Sequence, residues 1–324
     1  MSDLKDYANI FDGIKPFKGQ VPKGFIVDFL GVLTDANFRS MWGVDPKAVG
    51  GHVVETTVPP VEHGEGWFEA ANWVMAARDA KEKFVMVTLG ACYGSQAVGA
   101  YRAIQTLNPM PCKLVAVEPE PGNIEWMKRH MLDNGIDPDD HWLVGSAISD
   151  RNEPVLFPVG SPGSGAQNCF STNENAAREF YVKEIVSSGN VEDALRNLLL
   201  HNNTGIKKDL VPGSNYNFMA EIKMMSAVTL KDILSPFDVV DFVESDIQQS
   251  EILVFPPFFD LLKKKVRRIH IGTHGAEVHA TLLGLFEKDG WEIVFDFAPN
   301  KTHTSALGSF VTNDGVLSVR NPTL

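Results

Sequence analysis

Between Phe84 and Glu118 the chain runs through an order of residue types that few folds satisfy. Phe84-Val85-Met86-Val87-Thr88-Leu89 is a short, mostly apolar run that breaks at Gly90-Ala91-Cys92-Tyr93-Gly94 into a turn with two glycines. A helical pattern begins at Ser95, and a second apolar run, Leu114-Val115-Ala116-Val117, ends on Glu118. Runs of this kind without alternation read as strands buried on both faces. A glycine turn between such a strand and a helix brings backbone N–H groups close to a ligand at the positive end of the helix. An acid at the end of the neighbouring strand is placed to hold the two hydroxyls of a ribose. Together the two features predict a nucleoside-bearing ligand.

The rest of the chain extends the pattern. Strands are predicted at Phe84–Leu89, Lys113–Glu118, His141–Ile148, Val239–Ser245, Arg268–Gly272, Trp291–Phe297 and Gly315–Val319. Helices are predicted at Ser95–Thr106, Gly122–Asn134, Glu251–Lys264 and Ala276–Asp289. Such alternation predicts a mostly parallel sheet with helices on both faces. The last two strands have no helical pattern between them and read as an antiparallel pair, where a dinucleotide dehydrogenase would need a second βαβ half. Residues 1–80 hold a short apolar run at Phe25–Val32 and a helical pattern from Gly66 to Met75, and read as an extension packed on a domain of residues 81–324. Residues 154–226 have a different texture, with Gly160-Ser161-Pro162-Gly163-Ser164-Gly165, an amphipathic stretch from Val191 to Leu200 and Pro212-Gly213-Ser214-Asn215. A loop this long inside a domain reads as an insertion that covers a substrate.

Composition narrows the function classes. With 324 residues the chain buries a full core, and a net charge of −12 argues against a dedicated nucleic-acid binder, which needs a basic face. The basic run Lys263-Lys264-Lys265 with Arg267-Arg268 reads as a helix end that complements the helix dipole. No apolar run approaches the roughly 20 residues of a membrane helix. The polar start Met1-Ser2-Asp3-Leu4-Lys5-Asp6 does not read as a signal peptide. Cys92, Cys112 and Cys169 lack metal-ligand spacing and fit a reducing compartment, so a cytoplasmic location without a structural metal is expected.

Strand, glycine loop, helix, acid-ended strand and antiparallel finish resemble the S-adenosylmethionine-dependent methyltransferases. Val228-Thr229-Leu230-Lys231-Asp232-Ile233-Leu234, then Val240–Ser245 and Asp246-Ile247-Gln248-Gln249-Ser250-Glu251, resemble the signature of the FkbM-type members. That signature is a leucine-rich lead-in, a strand, and an Asp-Ile/Val-Gln/Glu-Gly-x-Glu turn that opens a helix. Ile269–His274 with Phe286 and Gly290-Trp291 resemble the matching later segment. The resemblance covers roughly residue 65 to the C-terminus, with Val27–Gly31 besides. It implies a Rossmann-like class I methyltransferase fold, with a mostly parallel seven-stranded sheet and an antiparallel C-terminal strand. It also implies S-adenosylmethionine as cofactor and methyl transfer to an oxygen, a hydroxyl of a sugar or sugar-bearing metabolite, so that the partner is a small molecule or glycan. Carried over by residue, Thr88, Gly90, Cys92 and Gly94 belong to the cofactor loop and Glu118 holds the ribose. Ser146 and Ala147 lie near the adenine, and Asp246 stands beside the methyl group. Three positions depart from the pattern: Thr88 replaces an acid that would meet the cofactor's amino group, while Cys92 and Gln249 replace glycines.

The residues themselves leave alternatives open. Asp246 reads either as a catalytic base or as a helix N-cap. Glu251 reads as a first-turn acid that favours the helix dipole. His274, just past the fifth strand, reads as a second base candidate or as a hydrogen-bonded loop histidine, and His270 as a satisfied core residue. A catalytically silent, methyltransferase-like binding protein would account for Thr88, Cys92 and Gln249 together. A nicotinamide-dependent oxidoreductase would share the glycine loop and Glu118.

Overall fold

The computed structural model describes residues 4–160, 162, 163, 165 and 221–324. Its centre is a seven-stranded sheet of β1 (Phe84–Leu89), β2 (Cys112–Val117), β3 (Trp142–Val144), β4 (Val240–Ser245), β5 (Val266–Thr273), β6 (Glu292–Phe297) and β7 (Gly315–Arg320). The spatial order is β3-β2-β1-β4-β5-β7-β6. The first five strands are mutually parallel, and β7 runs antiparallel between β5 and β6. That is the sheet of the class I methyltransferase fold expected from the sequence. A nicotinamide dehydrogenase would carry its sixth strand parallel beside the fifth.

Helices α1 (Glu65–Asp79), α2 (Ser95–Leu107), α3 (Pro121–Asp133), α4 (Leu230–Leu234), α5 (Glu251–Val254), α6 (Phe259–Lys265) and α7 (Ala276–Lys288) accompany the strands. Alternate strand residues feed two cores. Phe84, Met86, Leu114, Phe242 and Val316 pack under α1 and α2. Val85, Val87, Val115, Val243, Ile269 and Leu317 pack against the side chains of α4 to α7. Burial on both faces explains why these strands show no polar alternation.

Three local expectations change. The third strand stops at Val144 because its carbonyl accepts N–H groups from both Glu118 and Ser146 and the chain turns. Ala147–Ile148 then leaves the main sheet and pairs in parallel with Ala227–Val228. The helix expected from Glu251 to Lys264 divides into α5, a 3₁₀ turn at Pro256–Phe258, and α6. Pro256 and Pro257 offer no N–H to a continuous helix. A hairpin of Lys301–Ser305 with Gly308–Thr312 fills the connection between β6 and β7. The expected insertion leaves and returns through an antiparallel ribbon of Val155–Val159 with Glu221–Met225. Residues 166–220, including the amphipathic stretch at Val191–Leu200, lie outside the described residues. Among the described residues no helix is long and apolar enough to cross a membrane, and no group of three or more His, Cys, Asp or Glu side chains is placed to hold a metal.

Candidate functional site

The carboxyl ends of β1, β2 and β4 open onto a cleft of about 560 Å³, counted out to its mouth. Gly90, Cys92, Glu118, Ala147 and Asp246 line it, so five residues singled out in the sequence meet there. Pro119, Asn123, Ile148, Phe157, Ile247 and Gln248 line it as well. Ile247 and Gln248 belong to the turn that resembles the FkbM-type signature, whereas Pro119, Asn123, Ile148 and Phe157 had no signal in the chain, because such residues on unrelated loops look like ordinary packing until the loops converge.

Glu118 is 4% exposed and holds the glycine loop in shape. Its Oε2 accepts the Cys92 N–H at 2.7 Å and its Oε1 accepts the Glu120 N–H at 2.8 Å. The Asn123 side chain also bonds this carboxylate, and the lone-pair capacity that remains is what a ligand hydroxyl would use. Burial pushes the Glu118 carboxyl up to about 7, against the pull of those N–H groups. Glu120 caps α3 through the Gly122 N–H and also takes the Gly160 N–H at 2.8 Å. The Gly163 N–H donates to Asn123 Oδ1 at 2.7 Å, and the Trp42 indole N–H donates to the Gly163 carbonyl at 2.8 Å. The glycine-rich start of the expected insertion is thereby tied down at the cleft's edge.

Gly90 has φ 76°, and a Cβ there would collide with the backbone carbonyl oxygen of Asp246. The first glycine therefore brings the ends of β1 and β4 together, and Asp246 N–H donates to the Leu89 carbonyl at 3.0 Å. Gly94 caps α2 in the left-handed region, and a Cβ on it would meet Met127 rather than enter the cleft. Cys92 has φ 49° and Gln249 φ 77°. At both departures from glycine the backbone still takes the conformation that favours glycine, at a cost of roughly 1–3 kcal/mol each. Burial raises the Cys92 thiol far above its usual range, which disables it as a nucleophile.

Thr88 lies wholly inside β1 and outside the cleft lining, with its Oγ1 unpartnered. Ser146, expected near the adenine, lies off the lining and bonds the Ser226 hydroxyl at 2.7 Å, while Ala147 and the apolar Ile148 and Phe157 line the cleft.

Asp246 is not an N-cap, since α5 begins at Glu251 with Ser250 before it. Its side chain is 47% exposed, and its Oδ1 accepts from Gln248 Nε2 at 2.8 Å and lies 3.1 Å from His274 Nε2. His274 Nδ1 is 2.8 Å from Glu251 Oε1, which also accepts the Ile247 N–H at 3.2 Å. Burial alone would lower the His274 pKa, but Glu251 and Asp246 hold it well above the usual value. Glu251 is 0% exposed and its Oε1 serves both this histidine and the Ile247 N–H, so its role exceeds that of a first-turn acid. Only folding reveals this, because His274 is 23 residues away. His270 is a core residue, with Nδ1 2.9 Å from the Ser318 hydroxyl and also near Asn72.

Among known proteins the chain is 25% identical over 307 residues to a curated protein of Jannaschia sp. (strain CCS1) named as a methyltransferase, covering 93% of this chain and 94% of that one. No family model matches. Among solved structures it is similar to the FkbM methyltransferase of Methylobacillus flagellatus KT, with a TM-score of 0.38 and 11% identity over 78% of this chain. This chain spans 54% of that protein, about half its length. A precorrin-6y C5,15-methyltransferase of Geobacter metallireducens GS-15 is similar with a TM-score of 0.33 and 10% identity, over 78% of this chain and 86% of that one. The curated relative agrees with the resemblance to methyltransferases read from the sequence, and with the sheet order it implies S-adenosylmethionine as methyl donor. The cleft fits that group. A buried acid able to accept hydroxyl groups and apolar walls at Ile148 and Phe157 meet in one cleft, the chemistry that a nucleoside requires.

Proposed function

We propose that the protein transfers the methyl group of S-adenosylmethionine to an acceptor oxygen, a hydroxyl of a sugar or sugar-bearing metabolite. The observation that carries the reading is the position of Asp246. It shares the cleft with Glu118, yet keeps nearly half of its side chain exposed. When bound, the cofactor supplies a methyl group already made electrophilic by its sulfonium, so the chain's task is alignment and proton removal.

Glu118 accepts the ribose hydroxyls and thereby sets the depth of the ligand. Gly90 lets the end of β4 approach the loop closely enough to bring Asp246 beside the reacting centre. Asp246 accepts the acceptor's hydroxyl proton at its carboxylate, which a neutral hydroxyl needs in order to attack. His274, held charged by Glu251, faces Asp246 Oδ1 and orients it, a task its raised pKa suits better than that of a base. The catalytically silent alternative rests on Thr88, Cys92 and Gln249 together, and it predicts no methyl transfer.

Asp246→Asn tests the reading. Radiolabelled S-adenosylmethionine is incubated with a metabolite extract of the source organism, and the labelled product is identified by mass spectrometry. The wild-type protein should yield an O-methylated product. The variant should keep its melting temperature and bind cofactor within a few fold, while transfer falls by roughly 10²–10⁴. Normal transfer by the variant removes Asp246 from the chemistry. Binding without transfer by the wild type favours the silent alternative.

A further inference from the structure

His274 is a buried cation whose second ring nitrogen stands between two carboxylates. The imidazole is 8% exposed, and its Nδ1 pairs with Glu251 Oε1 at 2.8 Å. Its Nε2 lies 3.1 Å from Asp246 Oδ1 and 3.5 Å from Asp314 Oδ1, buried and aligned for a full hydrogen bond with neither. A charged imidazole removed from water needs counter-charge beside both of its N–H groups. Among the described residues, Asp246 and Asp314 are the acids within ion-pair distance of Nε2.

Strand register puts Asp314 there. Gly315, the first residue of β7, pairs with Thr273, the last of β5, so Asp314 and His274 occupy the next antiparallel position beyond the sheet. A Cβ on Gly315 would collide with Thr273 Oγ1 and His279 Nδ1, so this glycine lets the two strand ends lie close. Glu65 Oε1, at the start of α1, accepts the Asn313 N–H at 2.8 Å and the Asp314 N–H at 2.9 Å. The backbone is thereby pinned from two sides, while the Asp314 side chain stays 41% exposed and Asp246 47%. Burial pushes the Asp314 carboxyl up to about 6 against the pull of His274, with Asp246, Glu251 and Glu69 adding to the rise. Glu65 is a further acid that feels Asp314. Above neutrality Asp314 is therefore an anion with room to turn.

We propose that Asp314 is a positioning residue that takes over the His274 Nε2–H when Asp246 accepts the acceptor's proton. The inference rests on the transfer reading above. In that reaction the acceptor oxygen gains the methyl group, its proton passes to Asp246, and the C–S electron pair stays with the departing sulfur. Asp246 thereby turns from anion to neutral acid, and the imidazolium loses a counter-charge where water cannot replace it. Turning its N–H to Asp314 restores the pair and leaves Asp246 to hold the proton. Without Asp314 the imidazolium would keep Asp246 an anion and weaken it as a base.

A double-mutant cycle on the His274 pKa tests the exchange without any acceptor. It is read by nuclear magnetic resonance on protein carrying isotope-labelled histidine, with the His274 signal identified by its loss in His274→Gln. Asp246→Asn imitates the neutral acid. It and Asp314→Asn should each lower the pKa by less than about one pH unit, because the remaining carboxylate takes the N–H. The double variant should lower it by more than the two single shifts together. Shifts that simply add overturn the proposal. Turnover is the second readout, as the rate at which the parent's labelled product forms from the metabolite extract. Asp314→Asn should slow it about tenfold, the low end for a hydrogen bond to a charged group because the site is half exposed, with S-adenosylhomocysteine affinity within about twofold and an unchanged melt. Asp314→Glu should recover part of the rate. An unchanged rate in Asp314→Asn, or a loss that comes with early melting, also overturns the proposal. Parent protein that forms no labelled product while the cycle is non-additive refutes the transfer reading alone.

Discussion

In its proposed role as acceptor of the ribose hydroxyls, Glu118 should make ligand affinity depend on pH. In the empty site its carboxyl titrates at about 7, against an ordinary value of 4.5, chiefly because it is buried. The folded state therefore favours the protonated form. Stability tied to this group is fully present below about 4.5 and is lost as pH rises through about 7. At about 1.4 kcal/mol per pH unit, the loss amounts to roughly 3 kcal/mol. Two ribose hydroxyls donating to the carboxylate reverse the preference, so the ligand selects the ionised form. With a pKa of about 7, roughly a tenth of the sites are ionised at pH 6 and nine-tenths at pH 8. Affinity should therefore rise about tenfold between those values. The probe is 5′-methylthioadenosine, which carries the ribose and adenine but no amino-acid end that titrates. Titration calorimetry at pH 6, 7 and 8 reads the slope, and Glu118→Gln, which cannot ionise, should bind weakly and without a slope. A flat wild-type profile, or the same slope in the variant, would refute the assignment of Glu118 to the ribose.

Two further outcomes follow from the same geometry. Gly90→Ala places a Cβ against the Asp246 carbonyl at φ 76°, and should cost roughly 2–4 kcal/mol in denaturant melts as well as most S-adenosylhomocysteine binding; an unchanged melt would show that the β1 and β4 ends are not locked together. Glu251→Gln takes the buried partner from His274, whose raised pKa means that its stabilising charge is fully present below about 6.5 and is lost as pH climbs through the higher folded value. The variant should lose roughly 3 kcal/mol at pH 6, with a gap that narrows toward pH 9, whereas a pH-independent gap would mean that the histidine's charge plays no part.

The order of elements was legible in the chain because it depends on local signals. Apolar runs of strand length, a glycine turn and a helical period occur within a few residues of one another, and Glu118 ends its strand in plain view. The departures at Cys92 and Gln249 were legible too, and their left-handed backbones supply the reason glycine is expected there. The end of the third strand was not, because Val144 stops pairing through bonds to Glu118 and Ser146 that no local pattern announces.

Sequence alone determined the class of sheet, the cleft's position at the carboxyl ends of its strands, and the presence of the Glu118 acid in it. Each follows from periodicity and from residues that interact with near neighbours. Tertiary structure decided the rest of the site. Glu251 changed from a helix-dipole acid to the anchor of His274, and Thr88 proved to lie off the cleft, in register with Glu244 of β4. These contacts join residues 23 to 156 positions apart, and a carboxylate carries no mark of its distant partner. Its role is set by desolvation and by the charge that packing brings beside it, and both exist only once the strands are side by side.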